Sequence, residues 1–233
     1  MLLRHFLHRK LLSYYAQAAS SVVGGFEAPV SFRYLLGEWH WRYIYGNLYR
    51  QQKGQWLTPT ELFQPYYSQI LADFVSQNVQ QDTSFQVVEV GGGRATNARH
   101  FLDRLRVKHG AIYDKLDRYT LLDASPTLID LQKSRTRGID KIRVELCDLI
   151  DIAEGRKPFE FENAFVLGLE VLDNLPHDRI TRQRGVYTQT EVEDTSDGCF
   201  EELQRPLADP LLKSCVDLWQ DEGWIPTTAI GFL

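Results

Sequence analysis

The clearest feature of the hydrophobic pattern is the alternation of short apolar runs with amphipathic stretches after residue 84. The runs have the length and β-branched content of buried strands, whereas the stretches between them have helical spacing. We predict four strands in chain order: Phe85–Val90, Tyr119–Leu122, Ile142–Leu146 and Asn163–Leu167. Because strands that alternate with helices form a parallel sheet covered by helices, the pattern predicts an α/β fold.

Helix signals lie between these strands. Ser125 is suited to cap a helix whose first turn contains Pro126. The helix after the first strand has one apolar face, formed by Ala98, Phe101, Leu102 and Leu105. Beyond residue 170 we predict a fifth strand at Val186–Val192 and a helix at Pro210–Trp219, so residues 83–233 form the predicted sheet domain.

Residues 27–82 are rich in aromatic side chains and are predicted to form a helical cap. Thr58 and Pro59 have the features of a helix start, and the helix is expected to continue to about Asn78. Its predicted buried face consists of Leu62, Tyr66, Ile70 and Phe74. Few basic residues are interleaved with these aromatics, which favours packing over nucleic-acid stacking.

The first 26 residues are basic and amphipathic, and no acidic residue precedes Glu27. This composition is typical of a mitochondrial targeting segment. An ordinary basic first helix has the same composition, so both interpretations stay open on this stretch alone.

Composition narrows the class of protein. The chain has 233 residues and a formal net charge of −5, which argues against nucleic acid as the main partner. Its three cysteines, Cys147, Cys199 and Cys215, lack the spacing of a disulfide framework or a zinc site. We therefore predict no metal site, and the apolar runs are too short for a membrane span.

The candidate chemistry begins at the end of the first strand, where Glu89 precedes Gly91, Gly92 and Gly93. Glycines allow a sharp turn and a close approach of a ligand to the backbone. A carboxylate at Glu89 repels a dinucleotide pyrophosphate but attracts the ammonium of an amino-acid-like cofactor. This arrangement favours S-adenosylmethionine (SAM) over NAD. Thr96 also breaks the Gly-x-Gly-x-x-Gly dinucleotide pattern.

Further acidic residues follow the next strands, and strand ends of an α/β sheet converge on one crevice. We predict that Asp123 accepts the ribose hydroxyls of SAM, and that Asp148, with the Leu149 backbone, accepts the adenine amino group. Ser125 completes the predicted cofactor-binding set. Alternatives stay open for each acid: Asp123 as a helix cap, Asp148 as a solvated loop residue, and Glu89 as a partner of neighbouring backbone.

These motifs resemble those of the MidA-like SAM-dependent methyltransferases. Residues 89–96 are similar to the family motif Glu-x-Gly-Pro-Gly-Arg-Gly-Thr, and residues 123–126 to its acid-x-Ser-Pro motif. Residues 169–176 are similar to Asn-Glu-x-x-Asp-Ala-Leu-Pro, and residues 58–61 to an upstream Thr-x-Pro-Glu element. The resemblance covers roughly residues 30–230.

The resemblance implies a Rossmann-like class I methyltransferase that modifies an arginine of a protein in the mitochondrial matrix and assists respiratory complex I assembly. It implies that Glu170 faces the substrate guanidinium and that Asp173 joins it. The alternatives are a helix cap for Glu170 and, for Asp173, a contact with backbone or with His177.

Several positions depart from the family pattern. Leu169 replaces an asparagine, Asn47 replaces an aspartate, and Ala95 replaces a glycine at a position expected to be helical. The sequences of the family also continue beyond the last residue of this chain. The parallel sheet of this chain is therefore expected to lack the last two strands of the methyltransferase sheet. These departures keep a second hypothesis open: a non-catalytic factor that binds SAM and a protein partner.

Overall fold

In the computed structural model, the described residues are 1–16, 23–26, 28–51, 57–80, 83–195, 199–221 and 228–232. The described helices are α1 (Leu3–Tyr15), α2 (Glu38–Gln51), α3 (Pro59–Leu62), α4 (Tyr66–Asn78), α5 (Thr96–Lys108), α6 (Gly110–Lys115), α7 (Pro126–Arg135), α8 (Leu149–Ala153) and α9 (Pro210–Asp221). The described strands are β1 (Phe85–Val90), β2 (Leu116–Asp123), β3 (Ile142–Leu146), β4 (Ala164–Gly168), β5 (His177–Gln183), β6 (Val186–Asp194), β7 (Phe200–Pro206) and β8 (Thr228–Phe232).

The chain forms two compact units. The larger unit contains residues 14–171, and the smaller unit combines residues 1–13 with residues 172–233. These boundaries differ from the expected divisions near residues 26 and 82, because the first helix folds with the C-terminal strands and the cap helices fold with the parallel sheet.

The larger unit is built on a parallel sheet with the strand order β3-β2-β1-β4. This confirms the α/β class and the four predicted strands, with β1 and β3 at the predicted bounds. β1 is central, and its Val87 and Val88 side chains are completely buried. The strand order reverses between β1 and β4, and crevices in such sheets open at this point, outside the carboxyl ends of the strands.

The predicted cap helix is interrupted, and its predicted buried face is wrong. Pro65 separates α3 from α4, because proline lacks the amide donor that a continuous helix needs. Leu62 is buried, but Tyr66, Ile70 and Phe74 are more than half exposed. α4 instead packs on α5 with its smaller residues, Ser68, Ala72 and Val75. These residues have the same helical spacing as the predicted face, so periodicity alone favours neither face.

The smaller unit contains an antiparallel sheet with the strand order β7-β6-β5-β8. The predicted fifth strand is therefore present as β6, but its assignment to the parallel sheet is wrong. Arg184 and Gly185 connect β5 to β6, and both have positive φ, as tight hairpin turns require. The helix predicted at Pro210–Trp219 is confirmed as α9, which packs on this sheet through Leu212 and Val216.

The first helix is bonded into the smaller unit by a buried ionic cluster. The Arg4 guanidinium donates to Asp178 Oδ2 at 2.7 Å and to Asp209 Oδ2 at 2.9 Å. The Asp178 side chain is only 1% exposed. Arg4 therefore neutralises a buried carboxylate, and α1 is part of the folded smaller unit.

Candidate functional site

The candidate site lies at the carboxyl end of β1, where the glycine turn leads into α5. The Gly91 amide donates to the Leu122 carbonyl at 2.8 Å, so the turn begins against the end of β2. Gly91 and Gly93 have φ angles of +67° and +50°, which side chains other than hydrogen disfavour. The tight turn that the sequence predicts is therefore present.

Ala95 departs from its expected conformation. The sequence predicts a helical residue here, but the φ of Ala95 is +61° and Ala95 immediately precedes α5. A left-handed conformation costs a residue with a Cβ atom about 1 kcal/mol. Glycine, which the family motif has at this position, adopts the left-handed conformation without this cost.

We expect Gly91→Ala to lower the free energy of unfolding by about 1–2 kcal/mol, because the backbone there is left-handed. The added Cβ atom also lies 2.9 Å from Val171 Cγ2. Gly110→Ala is the matched control, since its added Cβ meets nothing within 4 Å and it begins α6. Urea denaturation of the two variants measures the difference. Equal stability would show that the turn tolerates a side chain.

Glu89 lies in the interior beside this turn and is 3% exposed. The Tyr119 hydroxyl donates a hydrogen bond to Glu89 Oε2 at 2.7 Å. Burial raises the pKa of Glu89 to about 7, the negative charge of Asp123 adds to the rise, and the bond from Tyr119 opposes it. The site therefore contains a buried acid that a cationic ligand group would ionise.

Asp123 ends β2 and is also buried, and this burial raises its pKa to about 6. Its Oδ1 accepts from the Ser125 amide at 3.0 Å, and its Oδ2 accepts from Gln132 Nε2 at 3.0 Å. Gln132 Nε2 also donates to the Gly93 carbonyl at 3.1 Å. Gln132 thus connects the glycine turn to Asp123. Backbone hydrogen bonds from Gly93 and Ala124 also oppose the rise in the pKa of Asp123, so the carboxylate is held from several sides. Its contact with the ribose hydroxyls stays a prediction.

Ser125 and Asp148 both cap helices. Ser125 Oγ accepts from the Leu128 amide at 3.4 Å and donates to the Tyr15 carbonyl at 2.7 Å. Asp148 follows β3 and accepts from the Ile150 amide at 2.9 Å. These bonds give both residues a structural role besides any ligand contact. Asp148 and Leu149 are only half-buried, and their roles in adenine recognition stay predictions.

Glu170 and Asp173 lie in different units. Glu170 follows β4, is exposed and has a φ of +52°. Such backbone strain at a strand end is a recurring property of functional positions. Asp173 lies in the short 3-10 helix Leu172–Asn174 of the smaller unit and is exposed. The larger unit therefore places Glu170 at the strand ends that carry Glu89 and Asp123, and Asp173 belongs to the other unit.

Four buried residues of the site escaped sequence analysis: Asn97, Tyr119, Gln132 and Glu61. Glu61, in α3, faces Thr96 and Arg94 at the start of α5 and Arg135 at the end of α7. Burial raises the pKa of Glu61, and these neighbours oppose the rise. The cap is therefore joined to the glycine turn by a buried charge cluster. The sequence signal for this contact was the presence of both motifs, the element at residues 58–61 that resembles Thr-x-Pro-Glu and Gly-Arg at residues 93–94.

Two classes of feature are absent from the described part of the chain. It has no group of three or more His, Cys, Asp or Glu residues that could hold a metal ion. Among the described helices, none has the length and apolarity needed to cross a membrane.

The chain is similar to a protein-family model and to solved structures. Residues 68–225 match a family model described as an S-adenosyl-L-methionine-dependent methyltransferase. A Burkholderia thailandensis protein, whose structure was solved with bound S-adenosyl-homocysteine, has a TM-score of 0.64 and 21% identity over 93% of this chain. A second structure from that organism has a TM-score of 0.51 and 25% identity over 65% of this chain.

This chain spans 48% of the first solved relative and 38% of the second. At 21% identity, the similarity to the first relative establishes the fold alone. No curated protein matches the chain.

Proposed function

This chain belongs to the S-adenosyl-L-methionine-dependent methyltransferase family, and we propose that it binds SAM and methylates an arginine of a protein substrate in mitochondria. The observation that carries the SAM proposal is the buried Glu89 carboxyl beside the glycine turn. A buried acid without a cation is costly, and the ammonium of the SAM methionine moiety supplies the missing charge.

The residues at the strand ends fit the other parts of the cofactor. The backbone of Gly91 and Gly93 would lie along the methionine moiety, and Asp123 would accept the ribose hydroxyls. Asp148 and the Leu149 backbone would contact the adenine. The bound cofactor supplies an electrophilic methyl group, so the task of the protein is to orient the acceptor and to exclude water.

Glu170 is the proposed substrate contact. A carboxylate pairs with the planar guanidinium through two parallel hydrogen bonds, and this geometry directs one nitrogen toward the methyl group. The exposure of Glu170 leaves it accessible to a protein substrate. We propose Asp173 as a second substrate contact, on the basis of the family resemblance. By the same resemblance, the substrate is a subunit of respiratory complex I.

A methylation assay tests this function. The chain is incubated with SAM carrying a labelled methyl group and with complex I subunits, and mass spectrometry locates the label. We expect labelled arginine, and we expect Glu170→Gln to reduce transfer at least about tenfold while SAM binding persists. Glu162→Gln, another exposed carboxylate of the larger unit, is the control. Absence of SAM binding would contradict the proposal.

A second candidate function is a non-catalytic assembly factor that binds SAM and a protein partner. Leu169, which replaces the family asparagine next to Glu170, favours it, because leucine cannot donate a hydrogen bond near the transferred methyl group. SAM binding without transfer to any subunit would support this function. If the Leu169→Asn variant transfers methyl groups faster than the unsubstituted chain, the result would support the enzyme. It would also show that the family asparagine contributes to methyl transfer.

The mitochondrial location is proposed from the basic, acid-free N-terminal stretch. Cell fractionation with an antibody against this chain tests it. Recovery in the matrix fraction is expected, and recovery only outside mitochondria would contradict the location without affecting SAM binding.

A further inference from the structure

A chain of buried hydrogen bonds ends on Glu89. Asn97 Nδ2 donates to the Tyr119 hydroxyl oxygen at 3.1 Å, and the Tyr119 hydroxyl donates to Glu89 Oε2 at 2.7 Å. The three residues come from α5, β2 and β1, and none is more than 3% exposed. Because a phenol oxygen that accepts a bond becomes a better donor, the two bonds strengthen each other.

The surroundings of Glu89 are otherwise unfavourable to its charge. In the sheet it lies opposite Leu121 of β2 and Leu167 of β4. Asp123, at the end of β2, raises the pKa of Glu89 further by repulsion. The described groups that stabilise the carboxylate are Tyr119, from β2, and Asn97, from α5. Neither group is a cation.

We propose that Tyr119 is a positioning residue for the cofactor, whose hydroxyl stabilises the Glu89 carboxylate and orients it to receive the cofactor ammonium. Asn97 orients this hydroxyl. The inference rests on the proposed SAM site and extends it to a residue that does not itself contact the cofactor.

In this arrangement, SAM binding depends on the protonation state of Glu89. When a protonated Glu89 meets the ammonium, its proton leaves to solvent and a carboxylate–ammonium pair forms. Affinity should therefore rise with pH until Glu89 is ionised in the free protein, near its pKa of about 7. Without the Tyr119 hydroxyl, the carboxylate loses a donor and this rise should occur at higher pH.

The experiment is calorimetric titration of SAM into the intact chain and its Tyr119→Phe variant between pH 6 and pH 8. If the substitution raises the Glu89 pKa by about one unit, the variant binds about tenfold more weakly at pH 6 and about twofold more weakly at pH 8. The titration of SAM itself affects both proteins equally, so the ratio of the two affinities reports on Glu89. Tyr113→Phe, on α6, is the matched control and should leave the ratio near one.

The possible outcomes separate the inference from the proposed function. A loss of affinity that is equal at every pH, or no loss, overturns the positioning role of Tyr119. Proton release by the unsubstituted chain is measured at pH 6.5 in buffers of different ionisation enthalpy. This proton-release measurement keeps the inference testable if the Tyr119→Phe variant fails to fold. SAM binding without proton release would also overturn the inference. Failure of the unsubstituted chain to bind SAM at any pH overturns the proposed function itself.

Discussion

Glu89→Gln is expected to weaken SAM binding by about 1–3 kcal/mol, or roughly 5- to 150-fold in Kd. The substitution preserves shape and hydrogen bonding but removes the charge that we pair with the cofactor ammonium. Because burial raises the pKa of Glu89 to about 7, the neutral acid already dominates in the free protein at pH 6. The penalty should therefore be small at pH 6 and should grow toward pH 8.

Calorimetry at both pH values measures this effect. Asp117→Asn is the control, since this exposed carboxylate lies at the opposite end of β2 from Asp123. It should leave the Kd unchanged. A Glu89→Gln variant that binds SAM as tightly as the unsubstituted chain at pH 8 would show that Glu89 has no role in binding.

Arg4→Met is expected to lower the unfolding free energy of the smaller unit by about 3–5 kcal/mol, the typical cost of leaving a buried charge without its partner. Asp178 is buried in β5, and Arg4 also forms two bonds to Asp209, which precedes α9. Asp209 Oδ1 accepts from the Leu212 amide at 3.1 Å, so the same cluster caps α9. One side chain thus joins α1, β5 and the start of α9.

Hydrogen exchange of β5, together with urea denaturation, measures this loss. Arg9→Met is the matched control, because Arg9 is an exposed residue of the same helix. The double variant Arg4→Met/Asp178→Asn should recover part of the stability, since it removes the unpaired charge. If Arg4→Met and Arg9→Met were equally stable, the ionic cluster would not stabilise the unit. Cleavage of α1 as a targeting segment would remove Arg4 and so break the same cluster.

The parallel sheet could be predicted because each of its strands carries a local signal. β1 is a dense β-branched run that ends in glycines, and Ser125 with Pro126 marks the start of α7 without reference to the rest of the fold. The smaller sheet was missed because β5 and β7 are polar strands. Neither strand contains a dense apolar run, and all but one residue of β7 are exposed. The Arg-Gly dipeptide between β5 and β6 was nevertheless a usable turn signal.

The candidate site was predictable only in part, for the same reason. Glu89 and Asp123 follow from their positions at strand ends. Tyr119 and Gln132 act on residues 30 and 39 positions away along the chain, so only the folded structure brings these pairs together. The face of α4 was predicted wrongly because two sets of residues had the same helical period.

The most direct test of the central claim is a crystal structure of this chain with S-adenosyl-homocysteine bound. We predict that the ligand ammonium lies within hydrogen-bonding distance of Glu89, about 2.7–3.2 Å, with the ribose hydroxyls at Asp123. A ligand bound away from the carboxyl ends of β1 and β2 would contradict the claim.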